Sequence, residues 1–133
     1  MKQCCVFSYT DAKTAGSHIS PLEIIENYGD AFYNPDGTVK HFLHTWDDGE
    51  RYLARCKKCG ALFLVQDSEF HSMSENSEDT YYTDYFQVSS REEAIAYNEK
   101  YNGFDIEKYY PGNYLLNINS DWIWSHIGLV SSD

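Results

Sequence analysis

The sequence predicts an α+β domain: an antiparallel sheet of about five or six strands, two short helices and one Cys-x-x-Cys knuckle. Three observations carry this expectation. Asp48-Gly49 lies between two alternating apolar runs, a hairpin signal, and Cys56-Lys57-Lys58-Cys59-Gly60 then reverses the chain again, giving a three-stranded antiparallel meander. Ser20-Pro21-Leu22-Glu23 and Ser90-Arg91-Glu92-Glu93 have the form of helix starts. A length of 133 residues suffices for one core and not for two, so residues 1–133 read as a single compact domain.

Taken in order, Gln3 to Ser8 reads as a strand and Asp11 to His18 as a polar loop. Ser20 then caps a helix, Pro21 occupies a position where no donor is missed, and Glu23 closes a capping box. This helix runs to about Tyr28 and stops at Gly29, with Leu22 and Ile25 turned inward. The turn Asn34-Pro35-Asp36-Gly37 leads into a meander spanning Thr38 to Gln66. Within it, Asp47-Asp48-Gly49-Glu50 predicts a hairpin, because both corners of a primed turn need positive φ. That register sets Trp46 against Arg51, His44 against Leu53, Phe42 against Arg55 and His41 against Cys56. One face then carries His41, Tyr52, Ala54 and Cys56, and the other Phe42, His44, Trp46, Arg51, Leu53 and Arg55.

Beyond the knuckle, a third strand gives way to an acidic, serine-rich stretch from Asp67 to Thr83, followed by a strand from Tyr81 to Val88. The helix begun at Ser90 aligns Ala94, Tyr97 and Tyr101 and ends at Asn102-Gly103. Phe104 to Tyr110 reads either as a helical turn or as irregular chain, closed by Pro111-Gly112. Tyr114 to Ile118 alternates as a strand, and Asp121 to Trp124 is an apolar end segment whose Trp122 and Trp124 share one face as sheet cover.

Composition narrows the function. The formal charge is −11, from 21 acidic and 10 basic residues, which opposes non-specific binding to nucleic acid or anionic membrane. No stretch approaches the roughly 18 apolar residues a bilayer span needs. The N-terminal apolar run is too short for a secretory signal, and a cytoplasmic location is the default expectation. Aromatic residues make up 17% of the chain, twelve of them tyrosines, which suit half-exposed strands and interfaces.

The four cysteines form an adjacent pair, Cys4-Cys5, and the Cys56/Cys59 pair. This is not a secreted disulfide framework, and in a reducing compartment metal is the favoured use of such a knuckle. Residues 52–65 resemble half of a zinc ribbon, which implies a structural zinc with Cys56 and Cys59 as its first ligand pair. The ribbon's second Cys-x-x-Cys has no counterpart here. Completion falls to His41, by the hairpin register, and to Cys4 or Cys5. Neighbouring strand residues point to opposite faces, so only one of that pair is expected to ligate, and Cys4 is assigned. The competing reading is a metal-free turn with free thiols.

Nothing in the chain has the form of a zinc-protease, deaminase, nucleophile-elbow, P-loop or dinucleotide signature. The expected function is therefore binding rather than catalysis. From Gly60 to Ser90 there is no Lys or Arg, against Asp67, Glu69, Glu75, Glu78, Asp79 and Asp84. With Tyr81 and Tyr82 these make a candidate docking surface for a basic protein such as a toxin or nuclease. The expectation is a small acidic inhibitor, an immunity protein of a bacterial toxin system or a phage counter-defence protein. The alternative is a zinc-stabilised accessory domain touching nucleic acid through Arg51, Arg55, Lys57 and Lys58, and a third reading is a metalloenzyme that uses the knuckle.

Overall fold

The computed structural model describes residues 3–19, 22–30, 46–70, 80–100, 106 and 110–126. Six strands form one antiparallel sheet in sequence order: β1 (Leu22–Asp30), β2 (Trp46–Cys56), β3 (Leu62–Phe70), β4 (Thr80–Val88), β5 (Asn113–Ile118) and β6 (Asp121–His126). Helix α1 (Ala12–Ile19) precedes the sheet, α2 (Arg91–Lys100) follows β4, and a 3-10 turn covers Cys5–Ser8. The α+β expectation holds, with a six-stranded antiparallel sheet and the helices α1 and α2 among the described residues.

Strand alternation splits the interior into two cores. From β2, Ala54 and Cys56 enter one core together with Val6, Ala15, Ile19, Phe63, Val65 and Leu115. The 3-10 turn and α1 supply the cover on that face. Leu53 enters the other core with Leu64, Phe86, Val88, Ala94, Ile106, Tyr110 and Tyr114, under α2. The central strands are therefore buried on both faces, while Ile24 and Ile25 of β1 are exposed. Trp122 and Trp124 pack partly buried on the first core, as sheet cover, and the Trp124 indole N–H donates to the Thr10 carbonyl at 3.0 Å.

Four local expectations change. Residues 3–8 are not a strand: Cys4 is extended (φ −60°, ψ 151°), and the chain then winds into the 3-10 turn. Asp11 to His18 is not a loop. Asp11 caps α1, accepting from the Thr14 N–H at 3.2 Å and the Thr14 hydroxyl at 2.7 Å. The inward stripe is Ala15, Gly16 and Ile19, too small and short to register as apolar periodicity.

The expected helix from Ser20 is β1 from Leu22 onward, paired from Leu22↔Cys56 to Asp30↔Glu50. Ser20 and Pro21 themselves lie outside the described residues. A cap contributes about 1 kcal/mol; a full ladder against β2, with Tyr28 and Leu22 packed inward, outweighs it. Gly29 has φ +82° beside a register shift, so it serves a bulge and not a helix end.

The Asp48-Gly49 hairpin is the fourth change. β2 runs through those residues, with Gly49 paired to Ser68, Arg51 to Gln66 and an irregularity between Trp46 and Asp48. Glycine inside a strand marks a bulge as readily as a turn, and here the partner strand β3 decides. The cross-hairpin partners Phe42, His41 and His44 lie outside the described residues, as does the Asn34–Gly37 turn. The knuckle reversal, β4, the Ser90-capped helix over Arg91–Lys100, β5 and β6 stand as expected, while Tyr101 and the expected Asn102-Gly103 helix end lie outside the described residues.

Candidate metal centre

The hairpin between β2 and β3 builds half of the centre. The Cys56 N–H donates to the Ala61 carbonyl at 2.8 Å, and the Gly60 N–H donates to the Cys56 carbonyl at 2.9 Å. Gly60 takes φ +80°, a conformation that a side chain would strain. These bonds turn the chain within six residues and bring the Cys56 and Cys59 sulfurs to the same side.

The N-terminal segment builds the other half. The Cys4 N–H donates to the buried Gln87 Oε1 at 2.9 Å, tying the segment to β4. Val6 and Phe7 then anchor it in the core, Phe7 against Phe63 and Trp124 with ring centroids at 6.4 and 5.5 Å. The backbone changes from extended at Cys4 to 3-10 at Cys5, so the two side chains do not diverge as they would on a strand. Both reach the knuckle. Alternation along a strand predicts only one, and that argument fails because there is no strand.

All four sulfurs lie within 4.8 Å of one another. The Cys59–Cys4 separation is 3.5 Å and the Cys5–Cys56 separation 3.9 Å. A tetrahedral ion with metal–sulfur bonds of about 2.3 Å sets its sulfurs about 3.8 Å apart. A disulfide would need about 2.05 Å, and all four cysteines are free thiols. The cluster can therefore hold a metal ion, with Cys4, Cys5, Cys56 and Cys59 as ligands. His41, the expected third ligand, lies outside the described residues, and four thiolates complete a tetrahedron without it.

The thiols differ in their surroundings. Burial pushes the Cys4 thiol well up, and burial raises Cys5 as well. At Cys59 desolvation also pulls upward, but the backbone N–H groups of Cys5 and Ala61 and the Cys4 and Cys56 thiols outweigh it and lower the group to about 6. Cys4 and Cys56 are buried, Cys5 is half-buried and Cys59 is exposed. The Cys59 sulfur is thus ready to bind as thiolate at neutral pH, and Cys4 and Cys5 ionise when a cation compensates the charge.

The expected docking residues divide differently. Asp84 is fully buried at 0% exposure on the α2 face of the sheet, so it is not part of any docking surface. Asp67 is half-buried and accepts from the Thr83 hydroxyl at 2.8 Å, and burial raises its carboxyl. Tyr81 is 55% exposed and Tyr82 half-buried. Glu75, Glu78, Asp79 and the Glu69 side chain lie outside the described residues.

The basic cluster also breaks up. Arg51 is 1% exposed, donating through Nε to Gln66 Oε1 at 2.6 Å and through Nη1 to the Asn98 carbonyl and Oδ1 at 3.2 and 3.3 Å. It joins β2 and β3 to α2 and serves as interior structure. Arg55 is exposed and paired with Glu23 at 2.6 Å, while Lys57 and Lys58 stand exposed on the knuckle. No helix among the described residues is long and apolar enough to cross a membrane.

The Cys5 contribution was legible by counting: one Cys-Cys and one Cys-x-x-Cys supply the four thiolates a tetrahedron takes. Comparison with protein-family models, with curated proteins and with solved structures gave no match.

Proposed function

We propose that Cys4, Cys5, Cys56 and Cys59 hold a structural zinc, and that the domain braced by it is a non-catalytic module that binds and blocks a basic protein. The observation that carries the zinc reading is the convergence of four sulfurs at tetrahedral spacing, with one from every cysteine in the chain. Four thiolates fill the valence of zinc and leave no position for a substrate water, which favours a structural over a catalytic role. The ion ties the N-terminal segment to the β2–β3 turn, 51 and 55 residues away in sequence.

The binding reading rests on charge and on where the centre sits. At −11 the chain attracts a cationic partner and accelerates encounter with it. The Phe70–Thr80 end of the β3–β4 hairpin is the end away from the knuckle. Along β3 the two are roughly 27 Å apart at strand rise. The metal therefore stiffens the sheet without touching the partner. The docking residues in this reading are Glu69, Glu75, Glu78, Asp79 and Tyr81, and Asp67 and Asp84 are structural. The partner class is a toxin or nuclease with a basic active surface, as for an immunity protein or a phage counter-defence protein.

Two measurements test the two halves separately. Protein purified under reducing conditions should carry one zinc per chain, and cobalt substitution should give the intense thiolate charge-transfer absorption of a four-sulfur site. A metal-free protein, or a cobalt spectrum with nitrogen ligation, defeats the zinc reading. For the partner, binding to a candidate basic nuclease should weaken steeply between low and physiological salt and on changing Glu75, Glu78 and Asp79 to their amides. Association indifferent to both defeats the docking reading.

A further inference from the structure

We infer that the cysteine cluster is also an oxidation site, at which hydrogen peroxide converts the four thiolates into two disulfides, Cys4–Cys59 and Cys5–Cys56, and releases the ion. This rests on the zinc reading above. Access sets where oxidation begins. Cys4 and Cys56 are buried and Cys5 is half-buried, while Cys59 is exposed at the tip of the knuckle. Peroxide in solution meets Cys59 first.

Geometry then sets the pairing. Four cysteines allow three connectivities. Any connectivity that closes Cys56–Cys59 leaves Cys4 to pair with Cys5. Adjacent Cα atoms are about 3.8 Å apart, below the 4.4 Å or so at which disulfides ordinarily begin. Complete oxidation within the turn is thereby disfavoured, and the bonds must cross from the N-terminal segment to the knuckle. Both crossed arrangements join sulfurs within 4.8 Å of one another, and the proposed one closes the pairs Cys59 with Cys4, at 3.5 Å, and Cys5 with Cys56, at 3.9 Å.

The chemistry balances as follows. The Cys59 thiolate attacks one peroxide oxygen, the O–O bond breaks, hydroxide leaves and Cys59 becomes a sulfenic acid. The Cys4 thiolate attacks the Cys59 sulfur, the S–O bond breaks, a second hydroxide leaves and the S–S bond forms. Two electrons have passed from the sulfurs to the peroxide, and two solvent protons convert the hydroxides to water. A second peroxide oxidises Cys5 and Cys56 in the same way. In total, four thiolates, two peroxides and four protons give two disulfides and four waters, and the divalent ion departs because its ligands no longer carry charge. Both disulfides still join the N-terminal segment to the knuckle, so the corner stays tied after the ion has gone. Thiol reductant reverses the change.

The test uses the full chain, reduced, loaded with zinc and assayed for metal before oxidant is added. Peroxide is titrated in the presence of a chromogenic zinc indicator, sulfenic acid is trapped with dimedone, and disulfides are mapped by non-reducing digestion and mass spectrometry. Tryptic cleavage after Lys57 and Lys58 separates Cys56 from Cys59. Expected are release of the ion at about two peroxides each, first trapping at Cys59, the two crossed linkages, and recovery of zinc binding after dithiothreitol. Zinc retained against a large excess of peroxide, first trapping at another cysteine, or a dominant Cys56–Cys59 linkage overturns the proposal. A chain that carries no zinc at the outset defeats the metal reading instead, and mapping of the reduced, metal-free chain then decides the pairing alone.

Discussion

Replacing Cys5 by serine separates a four-thiolate centre from a two-cysteine turn completed by other ligands. The Cys5 sulfur lies 3.9 Å from that of Cys56, at ligand spacing, yet the side chain is only half-buried and its loss opens no cavity in the core. Structural zinc contributes about 10–16 kcal/mol of binding free energy at neutral pH, or about 2.5–4 kcal/mol per ligand when shared among four. A serine hydroxyl stays protonated and hard where zinc favours a thiolate. Cys5→Ser should therefore weaken zinc by roughly 10²- to 10³-fold. Competition against a chromogenic chelator measures this directly, and thermal melts with and without zinc measure it a second way. Because the ion binds the folded chain, the variant should lose melting temperature when zinc is present and change little when it is absent. Zinc affinity within threefold of the parent would refute the four-thiolate centre. So would an equal loss from His41→Ala, which should leave affinity unchanged.

Three further outcomes follow from the packing. A Cβ added at Gly16 would sit 2.1 Å from Trp122 Cδ2, so the indole must move. Gly16→Ala should then destabilise by about 1–3 kcal/mol through overpacking, despite the helix propensity it gains; a raised melting temperature would show that α1 does not seat on Trp122. Arg51→Met removes the donors to Gln66 and Asn98 and should cost about 2–4 kcal/mol, read as a lower urea midpoint at unchanged slope. A loss below about 0.5 kcal/mol would place Arg51 outside the framework that holds the sheet to α2. Burial raises the Asp67 carboxyl above its unfolded value, so the folded chain binds the proton more tightly and stability falls as pH rises from the unfolded range near 3.8 through the folded value. Asp67→Asn should flatten that fall and stabilise the protein at neutral pH, and a D67N protein less stable than the parent at neutral pH contradicts the sign.

Local signals were reliable where one short-range interaction settles the conformation. At α2, Ser90 Oγ accepts from the Glu93 N–H at 3.1 Å, while the Glu93 carboxylate accepts from the Ser89 N–H at 3.0 Å. The box closes one residue earlier than expected, and the helix forms all the same. The knuckle turn was legible for a similar reason, since Gly60 and two backbone bonds shape it without help from distant strands. Elsewhere a local signal competed with a long-range one and lost. Ser20-Pro21-Leu22-Glu23 favours a helix, Asp48-Gly49 favours a turn, and both segments were claimed by neighbouring strands.

The sequence alone determined the class of the fold, the β2–β3 reversal, the second helix and the presence of a thiol pair fit for a metal, because each depends on residues within one turn or one strand. Tertiary structure decided how many thiols meet. Gln87 holds the Cys4 N–H, Phe7 lies between Phe63 and Trp124, and the 3-10 turn swings Cys5 to the same side. Tertiary structure also decided which charges face water. Asp84 and Arg51 look like surface residues in the chain and are interior ones in the sheet, because alternation along a strand assigns a face but does not say whether a helix covers it.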